Sequence, residues 1–373
     1  QMDAKLAMAT TGEAGQIAEM KSGTDYVDGE LFVTAGSEAE ADILAAAYNA
    51  EVKYYFAPVG IAMIVLSGDA TTIQAMTAAA DISTRLPALS VNEILTVEPI
   101  HLDAPQGKTS EYSIACEVLP ANAWASQKTD DPFISDPNNI QHLLTRYTDI
   151  TEGYQYAHDM VGTYNAWLLT KGSTDVNVFI IDTGVYAAHE DFSSTQISDI
   201  TTLTGTSSTS GAHMEAHGTH VAGIIAATAD NGLGGTGVAP GVTIQAYRCD
   251  TDSAPGSLST AAIIDGLGEA ITNDAYVVNM SLGGSYYNSA FDDAVQDVIN
   301  AGIAVFASEG NDGVQAYNYP AHYNGVISVA STDNTNSRSF YSTYAKATIS
   351  APGSNILSLA WDDTTPSANT TGI

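Results

Sequence analysis

Two histidines three residues apart have the types and spacing of side chains that can bind a metal ion or transfer protons. His217 and His220 lie in the stretch 214–227, MEAHGTHVAGIIAA, which is typical of the first turns of a buried helix. Such a pair can bind a metal ion, supply a catalytic base, or simply begin a helix. A metal site needs further ligands, and although Asp182 and Glu215 are candidates, no set of ligands at regular spacing is present. We therefore disfavour a metal centre, and expect His220 to pack or hydrogen-bond within its helix.

A carboxylate ends the apolar stretch VNVFIID, which is predicted to be a buried strand. This carboxylate, Asp182, precedes Thr183 and Gly184. Parallel sheets place their ligand crevice at the carboxyl ends of their strands, so Asp182 is a candidate site residue. The alternative is an aspartate that caps the following turn, and by itself the motif favours the cap.

Glycine-containing segments follow other predicted strands. VVNMSLGGS (277–285) and APGSLS (254–259) offer accessible backbone that can pair with an extended peptide by strand addition. FASEGNDG holds Asn311 in a turn, where its amide can donate a hydrogen bond to a developing oxyanion. Asp182, His217, the SLGG segment and Asn311 all follow strand ends on one side of one predicted sheet. Their convergence favours a functional site.

A glycine-rich stretch at residues 232–237, GLGGTG, formally matches G-x-G-x-x-G. A dinucleotide-binding fingerprint must follow a strand and open a helix. This stretch follows a predicted helix and leads into a strand, so we exclude that function. We predict a flexible loop that can wrap an ion, and acidic groups supply the oxygen ligands that calcium requires.

The surrounding elements divide the chain into two folded units. Residues 1–23 are small and polar and are predicted to form a loose tail. Residues 24–100 have the order β-α-β-β-α-β, a small split βαβ domain. Residues 101–150 are predicted to be a linker with one short helix. Residues 151–373 alternate continuous apolar strands with helices, which predicts an α/β domain with a doubly wound, mostly parallel sheet.

Composition narrows the range of partners. Among 373 residues, 43 Asp and Glu face 11 Lys and Arg, a net charge of −32. Such a chain repels nucleic acid and anionic membranes, and no apolar run approaches the length that spans a bilayer. The first residue is Gln1, with no basic-then-apolar leader, as in a secreted protein after signal cleavage or a sequence that starts at an arbitrary boundary. Cys116 and Cys249 can pair, but two cysteines do not fix the redox compartment.

Together these motifs resemble those of the subtilisin-like serine proteases, or subtilases. They occur in the family's order across residues 150–360: IIDTGVYAAHEDF, HGTHVAGIIAA, GVAPGVTIQAYR, VVNMSLGG, EGNDG, YPAHYNGVISVAS and APGSNILS. The resemblance implies a secreted endopeptidase that cleaves extended protein substrates with an Asp-His-Ser triad. It also implies that residues 24–100 are a propeptide, which assists folding and then blocks the cleft as an intramolecular inhibitor.

The resemblance further implies roles for single residues. Asp182 resembles the triad aspartate, His217 the general base and Asn311 the oxyanion donor. Backbone walls that grip the substrate correspond to Ser281, Leu282, Gly283 and Gly284 on one side and to Gly256, Ser257 and Leu258 on the other. Asp191 and Asn231 resemble ligands of a structural calcium ion, and no organic cofactor is implied.

The sequence departs from the family at the nucleophile. The family motif G-T-S-M-A does not occur, and the printed sequence reads TTPSANTTGI up to Ile373. Three hypotheses follow: a fragment of a longer chain, a chain complemented by its own C-terminal piece or by another chain, or a non-catalytic binding or scaffold subunit. Without the helix that bears the nucleophile, we expect exposed apolar strand faces.

Glu309 is a second departure, because the family usually has a small apolar residue before the glycine at position 310. With Asp312 it places two carboxylates beside the pocket for the substrate's primary side chain. These carboxylates either select a basic side chain in the substrate or simply face solvent.

Overall fold

The computed structural model describes residues 16–80, 86–97, 131, 155–194, 196–210 and 216–359. Its N-terminal unit has the predicted β-α-β-β-α-β order. The elements are β1 (Tyr26–Thr34), α1 (Glu38–Ala46), β2 (Ala50–Phe56), β3 (Ile61–Leu66), α2 (Thr72–Ala80) and β4 (Ser90–Thr96). Within the unit the strands pair antiparallel in the order β2-β3-β1-β4.

The elements of the C-terminal unit are α3 (Tyr156–Val161), α4 (Thr163–Ala166), β5 (Asn177–Asp182), β6 (Ile197–Asp199), α5 (His217–Ala226), β7 (Thr243–Arg248), β8 (Ser257–Ser259), α6 (Thr260–Thr272), β9 (Val277–Met280), α7 (Ser289–Asn300), β10 (Ala304–Ser308), β11 (Ile327–Thr332) and β12 (Ile349–Pro352). Seven of these strands form a parallel sheet in the order β12-β11-β10-β9-β5-β7-β6.

Strand β5 shows why its sequence is a continuous apolar run. Phe179 and Ile181 point into a core that includes residues of α6 and α7, whereas Val178 and Ile180 point into a core that includes residues of α5. Successive side chains of a strand face opposite sides of the sheet, so a strand covered by helices on both sides must be apolar throughout. The predicted doubly wound α/β architecture is confirmed.

The N-terminal sheet also buries both faces. Leu31 and Ile64 pack into a core with residues of α1 and α2. Phe32 and Met63 point the other way, into the core that contains residues of α6 and α7. The N-terminal sheet therefore packs directly on the C-terminal unit, and β4 pairs antiparallel with β8 to extend the sheet to five strands.

One local prediction was wrong. The tail predicted for residues 1–23 is too long, because Ile17 and Met20 are buried in the N-terminal core, 2% and 8% exposed. At the start of α2, the hydroxyl of Thr71 accepts from the amide of Gln74, 3.3 Å away. Thr71 directly precedes the helix, where a side chain reaches the first amides.

Parts of two other predictions lie outside the described residues. Of the linker at 101–150, the structure describes Asp131, which is buried. Cys116 lies outside the described residues, so its pairing with the buried Cys249 stays a prediction. Within the described ranges, no helix is both long and apolar enough to cross a membrane.

Apolar side chains are partly exposed on one face of the sheet between β9 and β12. Ile349 is 49% exposed, and Phe306 and Val329 are half-buried. Their neighbours Val305 and Ala307 on β10 face α7 and are buried. The described residues therefore cover this face incompletely.

Candidate active site

The carboxyl ends of neighbouring strands bring the predicted site residues to one edge of the sheet. The register pairs Ile180 of β5 with Asn279 of β9, and Asn279 with Phe306 of β10. Asp182 at the end of β5 is therefore level with Ser281, which follows β9. The convergence expected from the sequence arises because parallel strands end at the same edge.

Asp182 and His217 form a hydrogen-bonded pair at this edge. The Asp182 Oδ1 atom lies 2.7 Å from His217 Nδ1, and it also accepts from the amide of Thr183 at 2.7 Å. The Asp182 side chain is 1% exposed and the imidazole 16%. A carboxylate at Nδ1 fixes the ring and leaves Nε2 as the nitrogen that can take a proton.

A glycine after the histidine allows this approach. A Cβ atom on Gly218 would lie 2.1 Å from the carbonyl oxygen of Gly184. The amide of Gly218 donates to the hydroxyl of Thr183 at 3.0 Å, which fixes the start of α5 against the turn after β5.

His220 has a different environment. Its Nε2 lies 3.3 Å from the carbonyl oxygen of Ile356, and burial, reinforced by nearby His217, lowers its pKa to about 4. The ring is therefore neutral at ordinary pH, and its hydrogen-bond partner lies outside its own helix.

Asn311 lies in the turn after β10 with its side chain exposed. Gly310 precedes it with a φ of +97°, a conformation that favours glycine. The carbonyl oxygen of Gly310 accepts from the amide of Thr343 at 2.9 Å, so neighbouring backbone holds the turn. An amide presented in this way can donate to a group bound at the sheet edge.

The two predicted peptide-binding walls define a peptide cleft, bounded by Gly256–Leu258 and by Ser281–Gly284. The end of β4 occupies this cleft. Thr96 pairs antiparallel with Ser257 of one wall and with Gly283 of the other, so it lies in a central strand between them. The amide of Val97 donates to the carbonyl oxygen of Gly256 at 3.1 Å.

Side chains of the inserted strand alternate as its pleat requires. Leu95 and Val97 are buried in the core shared with the C-terminal unit, and Thr96 is exposed. A Cβ atom on Gly284 would lie 2.6 Å from Leu95 Cδ2, so the glycine makes room for this leucine. The cleft thus binds an extended chain through backbone pairing and alternate apolar side chains.

The family follows from a comparison of the whole chain. Residues 173–372 match the family model described as Subtilase family, which covers more than half of the chain. The chain belongs to the subtilase family. Residues 12–84 match a model described as the fervidolysin N-terminal prodomain. The N-terminal unit is therefore called the prodomain below.

Named relatives agree with this assignment. Thermitase of Thermoactinomyces vulgaris is 37% identical over 205 residues, which are 55% of this chain and 72% of thermitase. A thermostable alkaline protease of Halalkalibacterium halodurans is 32% identical over 269 residues, 70% of this chain and 72% of the relative.

A solved structure shares the fold of both units. Fervidolysin from Fervidobacterium pennivorans, described as a keratinolytic enzyme related to subtilisin, superposes with a TM-score of 0.68 at 23% identity. The alignment covers 92% of this chain and 49% of fervidolysin. The chain thus spans about half the length of that relative.

A buried ion pair that the sequence did not reveal supports one wall of the cleft in this subtilase. Arg248 Nε donates to Asp250 Oδ1 at 2.5 Å, and Asp250 Oδ2 accepts from the amide of Gly256 at 2.8 Å. Both side chains are almost fully buried. Arg248 also contacts the exposed Asp252, at 2.8 Å, from the same loop.

Asp250→Asn is expected to loosen the wall at Gly256, because the variant weakens both hydrogen bonds that hold this segment. The Val97 amide, which donates to Gly256, should then exchange with solvent about 10-fold faster, as for loss of about 1.4 kcal/mol of hydrogen bonding. Hydrogen exchange on the whole chain measures this rate. Asp252→Asn is the matched control, because Asp252 contacts Arg248 from the exposed side. Equal exchange in the two variants would contradict the prediction.

The expectation that Glu309 faces solvent was wrong, and selection of a basic substrate side chain stays a prediction. The residue is 1% exposed, and its Oε1 accepts from the backbone amides of Lys346 at 2.7 Å and Ala347 at 2.8 Å. The carboxylate therefore binds the subtilase's own backbone, whereas Asp312 is exposed.

The predicted calcium ligands lie together in a loop of polar groups. Asp191 is buried, and its two oxygens accept from Asn231 Nδ2 at 2.8 Å and from the amide of Gly235 at 3.1 Å. Burial raises the pKa of Asp191 to about 7. A Cβ atom on Gly234 would lie 2.3 Å from Asp191 Oδ2, so the glycine lets the loop close around the carboxylate.

Two further polar side chains at this loop were missed. Gln155 is buried, and its Oε1 accepts from the amide of Thr236 at 2.8 Å. Asp131 Oδ1 accepts from the amides of Asn231 and Gly232, both at 3.1 Å. The contacts of both join segments 81 residues or more apart, and no local pattern marks them.

Proposed function

We propose that the protein is a secreted subtilisin-like serine endopeptidase precursor that hydrolyses peptide bonds of extended protein substrates. The observation that carries the proposal is the 2.7 Å contact between Asp182 and His217 beside a cleft that already holds an extended strand. The serine comes from a segment outside the printed sequence. That segment is either a continuation of this chain or a separate C-terminal piece or subunit.

The mechanism follows from the geometry of the pair. His217 Nε2 takes the proton of the serine hydroxyl as the oxygen attacks the scissile carbonyl, and then gives this proton to the leaving amine. Asp182 stabilises the imidazolium through Nδ1. The amide of Asn311 donates to the oxyanion of the tetrahedral intermediate. Water then hydrolyses the acyl-enzyme by the same proton transfers in reverse.

The prodomain acts as an intramolecular inhibitor. Its strand β4 lies where a substrate would pair with the walls, as the contacts of Thr96 and Val97 support. Polar side chains on the same strand cap two helices of the C-terminal unit. Asn92 Oδ1 accepts from the amide of Ala261 at 3.1 Å, and the Ser90 hydroxyl accepts from that of Ala290 at 3.2 Å.

A structural calcium ion is part of the proposal. The chemistry of the donor set supports it, because Asp191, the Asn231 side chain, Gln155 and the loop carbonyls are oxygen donors, which calcium prefers. The buried Asp191 carboxylate has N–H groups as its described partners, and a cation would offset the cost of burying its charge. Bound calcium would hold the 229–236 loop against α5.

Calcium is expected to stabilise the protein through Asp191. Chelation should lower the Tm by about 5–10 °C, the shift for about 2.7 kcal/mol of binding at a hundredfold excess over Kd, and added Ca²⁺ should restore it. Asp191→Asn should remove this dependence, whereas the exposed neighbour Glu190→Gln should keep it. Calorimetry measures the shift, and an equal response to calcium in wild type and Asp191→Asn would contradict the assignment.

An active-site fluorophosphonate tests the catalytic proposal on the natural, processed protein. A labelled serine that His217→Ala abolishes is the expected result. An intact, folded preparation with no labelled serine would contradict the catalytic proposal. It would favour a non-catalytic protein that binds an extended peptide or partner subunit.

A further inference from the structure

Hydrogen bonds hold the turn that carries Asn311 against the segment 341–347. The amide of Gly313 donates to the carbonyl oxygen of Tyr341 at 2.6 Å, and the amide of Asp312 donates to Thr343 Oγ1 at 3.0 Å. On the other side, the amide of Glu309 donates to the carbonyl oxygen of Val329 in β11 at 3.0 Å. Backbone contacts thus flank Asn311 on both sides while its own side chain stays exposed.

Glu309 adds a charged anchor to this fastening. One carboxylate oxygen accepts from two consecutive amides, those of Lys346 and Ala347. Hydrogen bonds to an ionised acceptor are about twice as strong as neutral ones, so this contact opposes sliding of the turn along the segment. Because Asn311 is two residues away, displacement of Glu309 moves the donor.

Lys346 balances the buried charge. Its Nζ donates to the carbonyl oxygens of Ala321 at 3.0 Å and Tyr323 at 2.6 Å, so the ammonium is fixed in place. Burial lowers the pKa of Lys346, and the nearby Glu309 and Asp292 oppose that effect. His322 Nδ1 lies 3.8 Å from Glu309 Oε2, and burial lowers its pKa, which favours the neutral ring. The ammonium is therefore the fixed positive charge of this group.

We propose that Glu309 is a positioning residue for the oxyanion hole, in which its buried carboxylate, bound to the amides of Lys346 and Ala347, sets the position of Asn311. The inference rests on the proposed function. An oxyanion donor acts only if it is in place before the transition state forms, and a misplacement of about 1 Å can cost about 10²-fold in rate. Loss of Glu309 should therefore lower kcat and leave substrate binding in the cleft intact.

Steady-state kinetics of the natural full-length enzyme on an extended peptide test the proposal. Glu309→Gln keeps the shape and one acceptor oxygen but loses the charge, so kcat should fall about 10-fold. Glu309→Ala loses both, so kcat should fall about 100-fold, with KM within about threefold in each variant. Asp175→Asn, at an exposed carboxylate before β5, controls for the loss of a negative charge and should change kcat less than about threefold.

Hydrogen exchange separates positioning from unfolding. In Glu309→Gln the amides of Lys346 and Ala347 should exchange faster while those of β5 and β9 stay protected. A kcat for Glu309→Gln and Glu309→Ala within threefold of wild type, or a rise in KM at constant kcat, would overturn the proposal. A wild-type protein without activity would instead overturn the proposed function.

Discussion

Asp182→Asn is expected to lower kcat by about 10⁴-fold while the fold stays intact. An asparagine amide in place of the carboxylate would donate to Nδ1 of His217 and stabilise the tautomer that carries its proton on Nε2. That tautomer cannot accept the proton of the serine. The asparagine also lacks the negative charge of the aspartate, so the imidazolium is no longer stabilised in the transition state.

The measurement is steady-state hydrolysis by the natural full-length protein, with the Tm as a check on folding. Asp175→Asn is the matched control, because Asp175 is an exposed carboxylate two residues before β5, at the opposite end of the strand from Asp182. The control should retain the wild-type rate. A loss below about tenfold in Asp182→Asn would mean that the contact with His217 does not serve catalysis.

The elements that carry the site were predictable because their signals are local. The continuous apolar run of β5 predicts that both of its faces are buried. Asp182 ends this run, which predicts its place at the carboxyl end of the strand. The glycines at 283 and 284 are also a local signal, because they follow a predicted strand and leave its backbone accessible. Parallel order then places these ends at one edge without further information.

The supports of the site were not predictable, because no local sequence pattern specifies their contacts. Gln155 contacts Thr236, and Asp250 is defined by its contact with Gly256 across a loop that has no periodicity. Glu309 is the clearest case, since a glutamate in a glycine-containing turn is normally exposed. Its burial depends on the amides of Lys346 and Ala347, which no pattern around Glu309 specifies.

The pairing of β4 with β8 was partly predictable from the sequence. The sequence indicated that 254–259 can accept an extended peptide, and the family resemblance implied that the propeptide blocks the cleft. β8 is three residues long, too short for a periodic signal, and its pairing with β4 spans more than 160 residues. The register that sets Leu95 opposite Leu258 required the structure.

This register makes Leu95 the residue whose replacement should release the prodomain strand from the cleft. Leu95 is 3% exposed, packs in the core shared with Leu258 and Leu282, and fills the space above Gly284. Leu95→Asp would bury a carboxylate among these apolar groups, close to Glu93, whose Oε1 also approaches Gly284. The expected cost is about 3–5 kcal/mol, from lost apolar burial and an unpaired charge.

Hydrogen exchange on the whole chain measures this release at the amide of Val97. The cost corresponds to exchange more than about 100-fold faster, because opening of β4 exposes the hydrogen bond to Gly256. Thr96→Ala is the control, since the Thr96 side chain is exposed and its backbone pairing survives the change. The prodomain core around Leu31 and Ile64 should remain protected in both variants, because it faces away from the cleft. Unchanged protection of Val97 in Leu95→Asp would mean that backbone pairing alone holds the strand, and that the alternating apolar side chains do not determine what the cleft binds.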